Sequence, residues 1–179
     1  MKLLLEKGAN VTTANNNGRT LLHSASDKGH VEVVKLLLEH DADVKAEDNV
    51  RRVPLLYAAK NGNKVNIELL LATNRVDVDS KDYYDSTPLS ISARMGHKDV
   101  VEFLLTKSHA LNVQDSFGRT PLWWAKRTGH LEISDLLLEK CKENVTARTE
   151  LQLQRYNGVG LKNTKLRSSE VQELLSLYT

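Results

Sequence analysis

The stretch GRTPLWWAKRTGHLEISDLLLEK, residues 118–140, decides how the chain folds. Thr120 stands immediately before Pro121, and the pair reads as a helix start. A threonine hydroxyl at the N-cap accepts a hydrogen bond from a backbone N–H that would otherwise lack a partner. Proline at the next position loses nothing, because its missing N–H had no intrahelical acceptor. The short helix begun this way stops near Gly129, where a left-handed residue carries no Cβ penalty. His130 then opens a second helix in which Leu131, Ile133, Leu136, Leu137 and Leu138 form a broad apolar stripe. Upstream, Gln114-Asp115-Ser116-Phe117-Gly118 has the chemistry of a turn.

The same unit recurs along the chain. Gly29, Gly62, Gly96 and Gly129 are spaced 33, 34 and 33 residues apart. In step with them come His30, Asn63, His97 and His130, and upstream Thr20, Val53, Thr87 and Thr120. Leucine-rich runs keep the rhythm at residues 3–5, 36–38, 69–71, 103–105 and 136–138, as does a turn residue at Asn15, Asp48, Asp82 and Asp115. One such unit cannot bury its own apolar face. A fixed period near 33 residues therefore predicts stacked supersecondary units rather than a closed globule.

GRTPLWWAKRTGHLEISDLLLEK and GRTLLHSASDKGHVEVVKLLLEHDADV, residues 18–44, resemble the ankyrin repeat. The resemblance implies an all-α fold, an ankyrin-repeat solenoid of stacked antiparallel helix pairs with short β-hairpin or turn fingers. Two further copies depart from the pattern. NVRRVPLLYAAKNGNKVNIELLL has Val53 at the capping threonine and Arg51 at the turn glycine; YYDSTPLSISARMGHKDVVEFLL has Asp85 at that glycine. The family tends to carry histidine after the Pro-Leu; here only His23 keeps it, with Leu56, Ser90 and Trp123 elsewhere. On this reading residues 1–15 are an N-terminal half repeat. Residues 16–48, 49–82, 83–115 and 116–142 are four complete repeats, and 143–179 a tail expected to form a degenerate helical cap. Trp123 and Trp124 fall on a short first helix, where side chains mostly pack between units. They are expected in the core, with room for one ring at the groove.

The ends raise separate expectations. The opening MKLLLEKGANV is the second helix of a repeat without its partner, and its apolar face would be partly uncovered. That implies a fragment, a truncated product, or a half repeat covered by missing upstream repeats or by another chain. Beyond Lys142 the period is lost. Thr149-Glu150-Leu151-Gln152 and Ser169-Glu170-Val171-Gln172 have capping-box spacing, and Val171, Leu174, Leu175 and Tyr178 make one helical face. A sixth helix pair sealing the stack, a separate partner-binding segment and a loose tail all fit.

The totals exclude several function classes. With 40% apolar and 27% charged residues among 179, the chain has globular composition. A net charge of +2 is too small to point to nucleic acid, which is the least favoured partner class. Cys141 is the single cysteine, which fits a reducing intracellular compartment, cytoplasmic or nuclear. No apolar run approaches the ~20 residues of a membrane span. His30, His97 and His130 repeat once per unit, and units ~10 Å apart cannot share ligands on a metal, where bonds are ~2 Å. His23, His40 and His109 have no companion spacing, and Gly158-Val159-Gly160 lacks the lysine of a phosphate loop. No catalytic set, metal site or cofactor is expected.

A binding face is expected where residue types vary while the framework repeats. One column reads Arg19, Arg52, Ser86, Arg119 along the finger tips. A second, in the last turn of each first helix, reads Asp27, Lys60, Arg94, Arg127. Together they hold six cations and one acid. Beside them Tyr83, Tyr84, Met95 and Phe117 cluster in the last two complete repeats. The resemblance puts both columns on the concave side, which commonly holds partners. Tyr and Arg are the side chains from which interfaces gain most energy. The expected function is a non-catalytic protein–protein interaction module for a protein or an acidic or phosphorylated peptide. Alternatives are the recognition part of a larger signalling protein and, less favoured, nucleic-acid binding.

Overall fold

The computed structural model describes residues 10–108 and 110–157, with side chains through residue 144. It divides into two compact units, Met1–Ser134 and Asp135–Thr179. The first unit contains helix pairs α1 (Leu21–Lys28) and α2 (Val31–Glu39), α3 (Pro54–Lys60) and α4 (Lys64–Ala72), and α5 (Pro88–Met95) and α6 (Lys98–Leu105). Helix α7 (Pro121–Thr128) follows, and α8 (Leu131–Asn157) begins in the first unit and ends within the second. Helices α1, α3, α5 and α7 pack side by side in one row, and α2, α4 and α6 form the row behind them. Among the described residues there is no strand, only an isolated antiparallel bridge between Ala14 and Thr20. The leucine run at residues 3–5, His109, the glycines at 158 and 160 and the apolar face at 171–178 lie outside the described residues.

Each first helix starts as its sequence requires. Thr20 Oγ1 accepts from His23 N at 3.5 Å while His23 Nδ1 accepts from Thr20 N at 3.0 Å. Thr87 and Ser90 form the same reciprocal pair, at 3.2 and 2.9 Å. Thr120 caps one way only, accepting from Trp123 N at 3.1 Å. Val53 makes no side-chain cap, yet all residues from Pro54 to Ala59 are buried. A cap stabilises by ~1 kcal/mol, whereas full burial of a single leucine side chain contributes ~1.5–3 kcal/mol. Packing therefore sets helix α3 where the cap is missing.

The periodic Gly and His/Asn positions are one device. Gly96 has φ +81°, and a Cβ there would lie 2.5 Å from Cε1 of His130. His130 Nε2 lies 3.2 Å from the Arg94 carbonyl, and His97 Nε2 lies 2.9 Å from that of Lys60. Asn63 Nδ2 likewise donates to the Ser26 carbonyl at 2.7 Å. Asn63, His97 and His130, each opening a second helix, thus satisfy bare carbonyls at the end of the previous repeat's first helix, groups with no intrahelical donor.

The fingers are built on one acceptor each. Oδ1 of Asn15, Asp48, Asp82 and Asp115 accepts from the backbone N–H groups two and four residues on, at 2.8–3.0 Å. Successive fingers are laced together. Asn49 N donates to Asn17 O, Tyr83 N to Val50 O and Ser116 N to Tyr84 O, at 3.0, 2.9 and 2.9 Å. The turn position is left-handed throughout, and Arg51 (φ 59°) and Asp85 (φ 58°) adopt it without being glycine.

Two expectations are corrected. Trp123 and Trp124 are not core: Trp123 is 42% exposed and Trp124 half-buried, whereas His23, Leu56 and Ser90 at the equivalent position are buried. In those three repeats the next repeat covers the position, and no fifth repeat follows among the described residues. Thr149 does not start a helix, because α8 is continuous from Leu131 to Asn157. That span contains neither glycine nor proline to break it.

Candidate functional site

The ten residues expected on the binding face sort into three groups. Arg19 and Arg52 turn inward around Tyr57. The Arg19 Cζ lies 4.3 Å and the Arg52 Cζ 6.0 Å from the Tyr57 ring centroid. Arg19 pairs with Asp27 at 3.0 Å, and Arg52 approaches Asp82 at 3.7 Å. Tyr57 itself is buried and its hydroxyl donates to Asp48 Oδ2 at 2.6 Å. Burial raises the Asp48 pKa. The Tyr57 hydroxyl, the Arg52 and Val50 backbone N–H groups and the Arg52 charge outweigh that, and it ends below its ordinary value. Burial and the same hydrogen bond push the Tyr57 phenol up.

The second group is a continuous strip of rings on the last two fingers and α7. Tyr83 and Tyr84 meet edge to face at 5.4 Å, Tyr84 and Phe117 are near-parallel at 6.5 Å, and Trp123 meets Trp124 edge to face at 5.0 Å. The Arg119 guanidinium joins the two halves, with Cζ 4.3 Å from both the Phe117 and the Trp124 centroids. Arg94 lies over Trp124 at 4.8 Å. Tyr83 is 65%, Tyr84 44% and Phe117 66% exposed. Arg119 Nε donates to Asp115 Oδ2 at 2.8 Å, and Trp124 Nε1 to the same oxygen at 3.1 Å. Burial raises the Asp115 pKa, but the donors from Arg119, Phe117 and Trp124 together bring it below its ordinary value.

Lys60, Met95 and Arg127 form the third group, exposed at or near the C-terminal ends of α3, α5 and α7. The count of six cations against one acid does not describe the face. Arg52 and Arg119 are matched by finger-base aspartates, and Arg19 by Asp27. Among the described residues Lys60, Arg94 and Arg127 form no ion pair. Trp123, Trp124, Tyr57 and the finger aspartates were missed as parts of this surface. One signal was available: Tyr57 lies nine residues after Asp48, and Trp124 nine after Asp115, each donating to that carboxylate.

No three His, Cys, Asp or Glu side chains converge as metal ligands would among the described residues. Nor is any described helix long and apolar enough to cross a membrane. Residues 1–48 and 45–115 match the family model for ankyrin repeats in three copies, and residues 117–150 match that of a single ankyrin repeat. The chain belongs to the ankyrin repeat family. Within it, 55 residues are 38% identical to ankyrin repeat domain-containing protein 63 of Homo sapiens, and the mouse (Mus musculus) protein of that name matches equally. That stretch covers 31% of this ankyrin chain and 14% of each relative. Ankyrin repeats generally mediate protein–protein interactions and are typically non-enzymatic.

Proposed function

We propose that the ankyrin array captures a segment of another protein on the strip formed by Tyr83, Tyr84, Phe117 and Trp123. Lys60, Arg94 and Arg127 then meet acidic or phosphorylated side chains at its edge. The observation that carries the reading is exposure: four large rings meet solvent, Tyr83, Tyr84 and Phe117 in one chain of ring contacts and Trp123 joined to it through Arg119. Exposed contiguous apolar surface with a polar rim is the usual form of a docking site. Aromatic residues beside arginine are where truncation costs most, ~2 kcal/mol or more each.

The test is affinity capture from a cell lysate at two salt concentrations, with wild type beside Tyr84→Ala/Arg94→Ala and the captured proteins identified by mass spectrometry. A bound protein lost with the double substitution, while circular dichroism stays that of wild type, supports the face. Equal capture by both forms removes it. A loss with salt as steep as that of polyanion binding would turn the reading towards phosphate-rich ligands.

A further inference from the structure

Arg119 fills a site shaped for a guanidinium. Its Cζ is 4.3 Å from the Phe117 centroid, 4.3 Å from that of Trp124 and 5.7 Å from that of Trp123. Its Nε donates at 2.8 Å to the Asp115 carboxylate, whose side chain is 1% exposed. Asp115 Oδ1 is taken by the Phe117 and Arg119 backbone N–H groups at 3.0 Å each, which leaves Oδ2 facing the rings. A desolvated carboxylate and two aromatic faces around one planar cation combine a charge-assisted hydrogen bond with cation–π attraction. The guanidinium comes from four residues along the same turn, so its local concentration is far above that of any arginine arriving from solution.

Finger three shows what happens without it. Ser86 stands at the position of Arg119, and there the carboxylate of Asp82 receives a guanidinium from the neighbouring finger, Arg52 Nε at 3.7 Å. A finger aspartate that lacks its own arginine is approached by one from outside.

We propose that Arg119 is a specificity-determining residue of the strip. By occupying the Asp115–Phe117–Trp124 site it denies that site to arginine side chains of other proteins and leaves the strip to neutral and acidic segments. This rests on the strip being the partner face and adds what the face excludes. Without Arg119, the buried carboxylate and the two rings would form an arginine receptor in the middle of the strip.

Two substitutions already present in the chain make the test clean. Arg119→Ser copies Ser86, and Asp115→Asn copies Asn15, which makes the same two backbone hydrogen bonds at 3.0 Å. The probe is N-acetyl-arginine amide, whose only charge is the guanidinium. Trp123 and Trp124 are the only tryptophans, so fluorescence excited on the red side of tyrosine absorption reports this site alone. Arg119→Ser should give a saturable fluorescence change with affinity at least ~10-fold tighter than wild type, and Asp115→Asn/Arg119→Ser should lose it. N-acetyl-lysine amide should bind Arg119→Ser more weakly, because an ammonium cannot lie flat against a ring. An equal response from wild type and Arg119→Ser overturns the proposal, as does no response from a variant whose circular dichroism is intact. Should Arg119→Ser fail to fold, Arg119→Gln carries the same two outcomes. The probe is not a protein, so the result is separable from partner capture. Probe binding by Arg119→Ser with capture unaffected in Tyr84→Ala/Arg94→Ala shows that Arg119 masks an arginine site but, with the partner elsewhere, overturns its role in partner specificity; the reverse removes the masked site and keeps the face.

Discussion

His23 is fully buried where the first repeat meets the second, with its ring edge to face with Tyr57 at 5.6 Å. Nδ1 accepts from Thr20 N at 3.0 Å, and Nε2 lies 2.8 Å from the Arg52 carbonyl. A neutral ring protonated on Nε2 satisfies both contacts; a second proton would place N–H against N–H at Thr20. Burial holds its pKa below the ordinary 6.5, against a smaller upward pull from the Arg52 carbonyl. The unfolded chain therefore binds this proton at a higher pH than the folded one. The contribution to stability is complete above 6.5 and is lost as pH falls through the folded value. The urea midpoint should then decline below pH 6.5, and His23→Leu, the residue found at Leu56, should flatten that decline. A decline of unchanged slope in His23→Leu would assign the proton to another group. Asp48 and Asp115 act in a lower window: both lie below the ordinary 3.8, so their contribution is complete above 3.8 and drains only below it.

At the scale of the element, the first helices set local capping against tertiary burial. Helix α3 begins on Val53 with no side-chain cap and forms because every residue from Pro54 to Ala59 is buried. Val53→Thr should give α3 the side-chain cap it lacks. Leu56 N already donates to the Val53 carbonyl at 3.0 Å, so the gain should be at most ~1 kcal/mol, while Thr120→Val should cost about that much. Chemical denaturation of both variants measures the two changes; shifts of the same sign would show that burial of the hydroxyl, not capping, dominates. Helix α8 gives the opposite lesson about local signals. Thr149-Glu150-Leu151-Gln152 has capping-box spacing but lies inside a helix that nothing upstream has ended. A capping motif starts a helix only where the preceding chain has left one.

At the scale of the whole molecule, the joints between repeats should govern cooperativity, since such arrays are stabilised by nearest-neighbour contacts. Gly96 and Gly129 separate backbone from joint. Both are left-handed, at φ +81° and +79°, but a Cβ on Gly96 would meet His130 at 2.5 Å while one on Gly129 meets no described residue within 4 Å. Alanine at either should cost the left-handed penalty of ~1–2 kcal/mol, and Gly96→Ala should cost more than Gly129→Ala by the price of moving His130. The tryptophans report only the fourth repeat. In Gly96→Ala their fluorescence transition should therefore separate from the ellipticity transition of the whole chain. Coincident transitions and equal losses in both variants would mean that this joint carries little coupling.

How much was legible follows from where each force acts. The 33-residue period, the helix starts at Thr20, Thr87 and Thr120, the reversals at glycine and the finger aspartates all arise from contacts within a few residues of one another. Sequence patterns record such contacts directly, and the solenoid follows from them. The recurrence of His97 and His130 was visible too, although the carbonyls they serve are 37 and 36 residues away. The surface was not legible in the same way. Whether an arginine is free or paired depended on carboxylates at the base of its own or the neighbouring finger and, for Arg19, on Asp27 in α1. Trp123 shares a sequence position with buried His23, Leu56 and Ser90, yet it is exposed, because burial of that position is conferred by the repeat that follows it. By itself the sequence determined the repeat, its caps and its turns, which are short-range. Only the tertiary structure decided which rings meet solvent and which cations keep a free charge, because those depend on what the adjoining repeat brings against them.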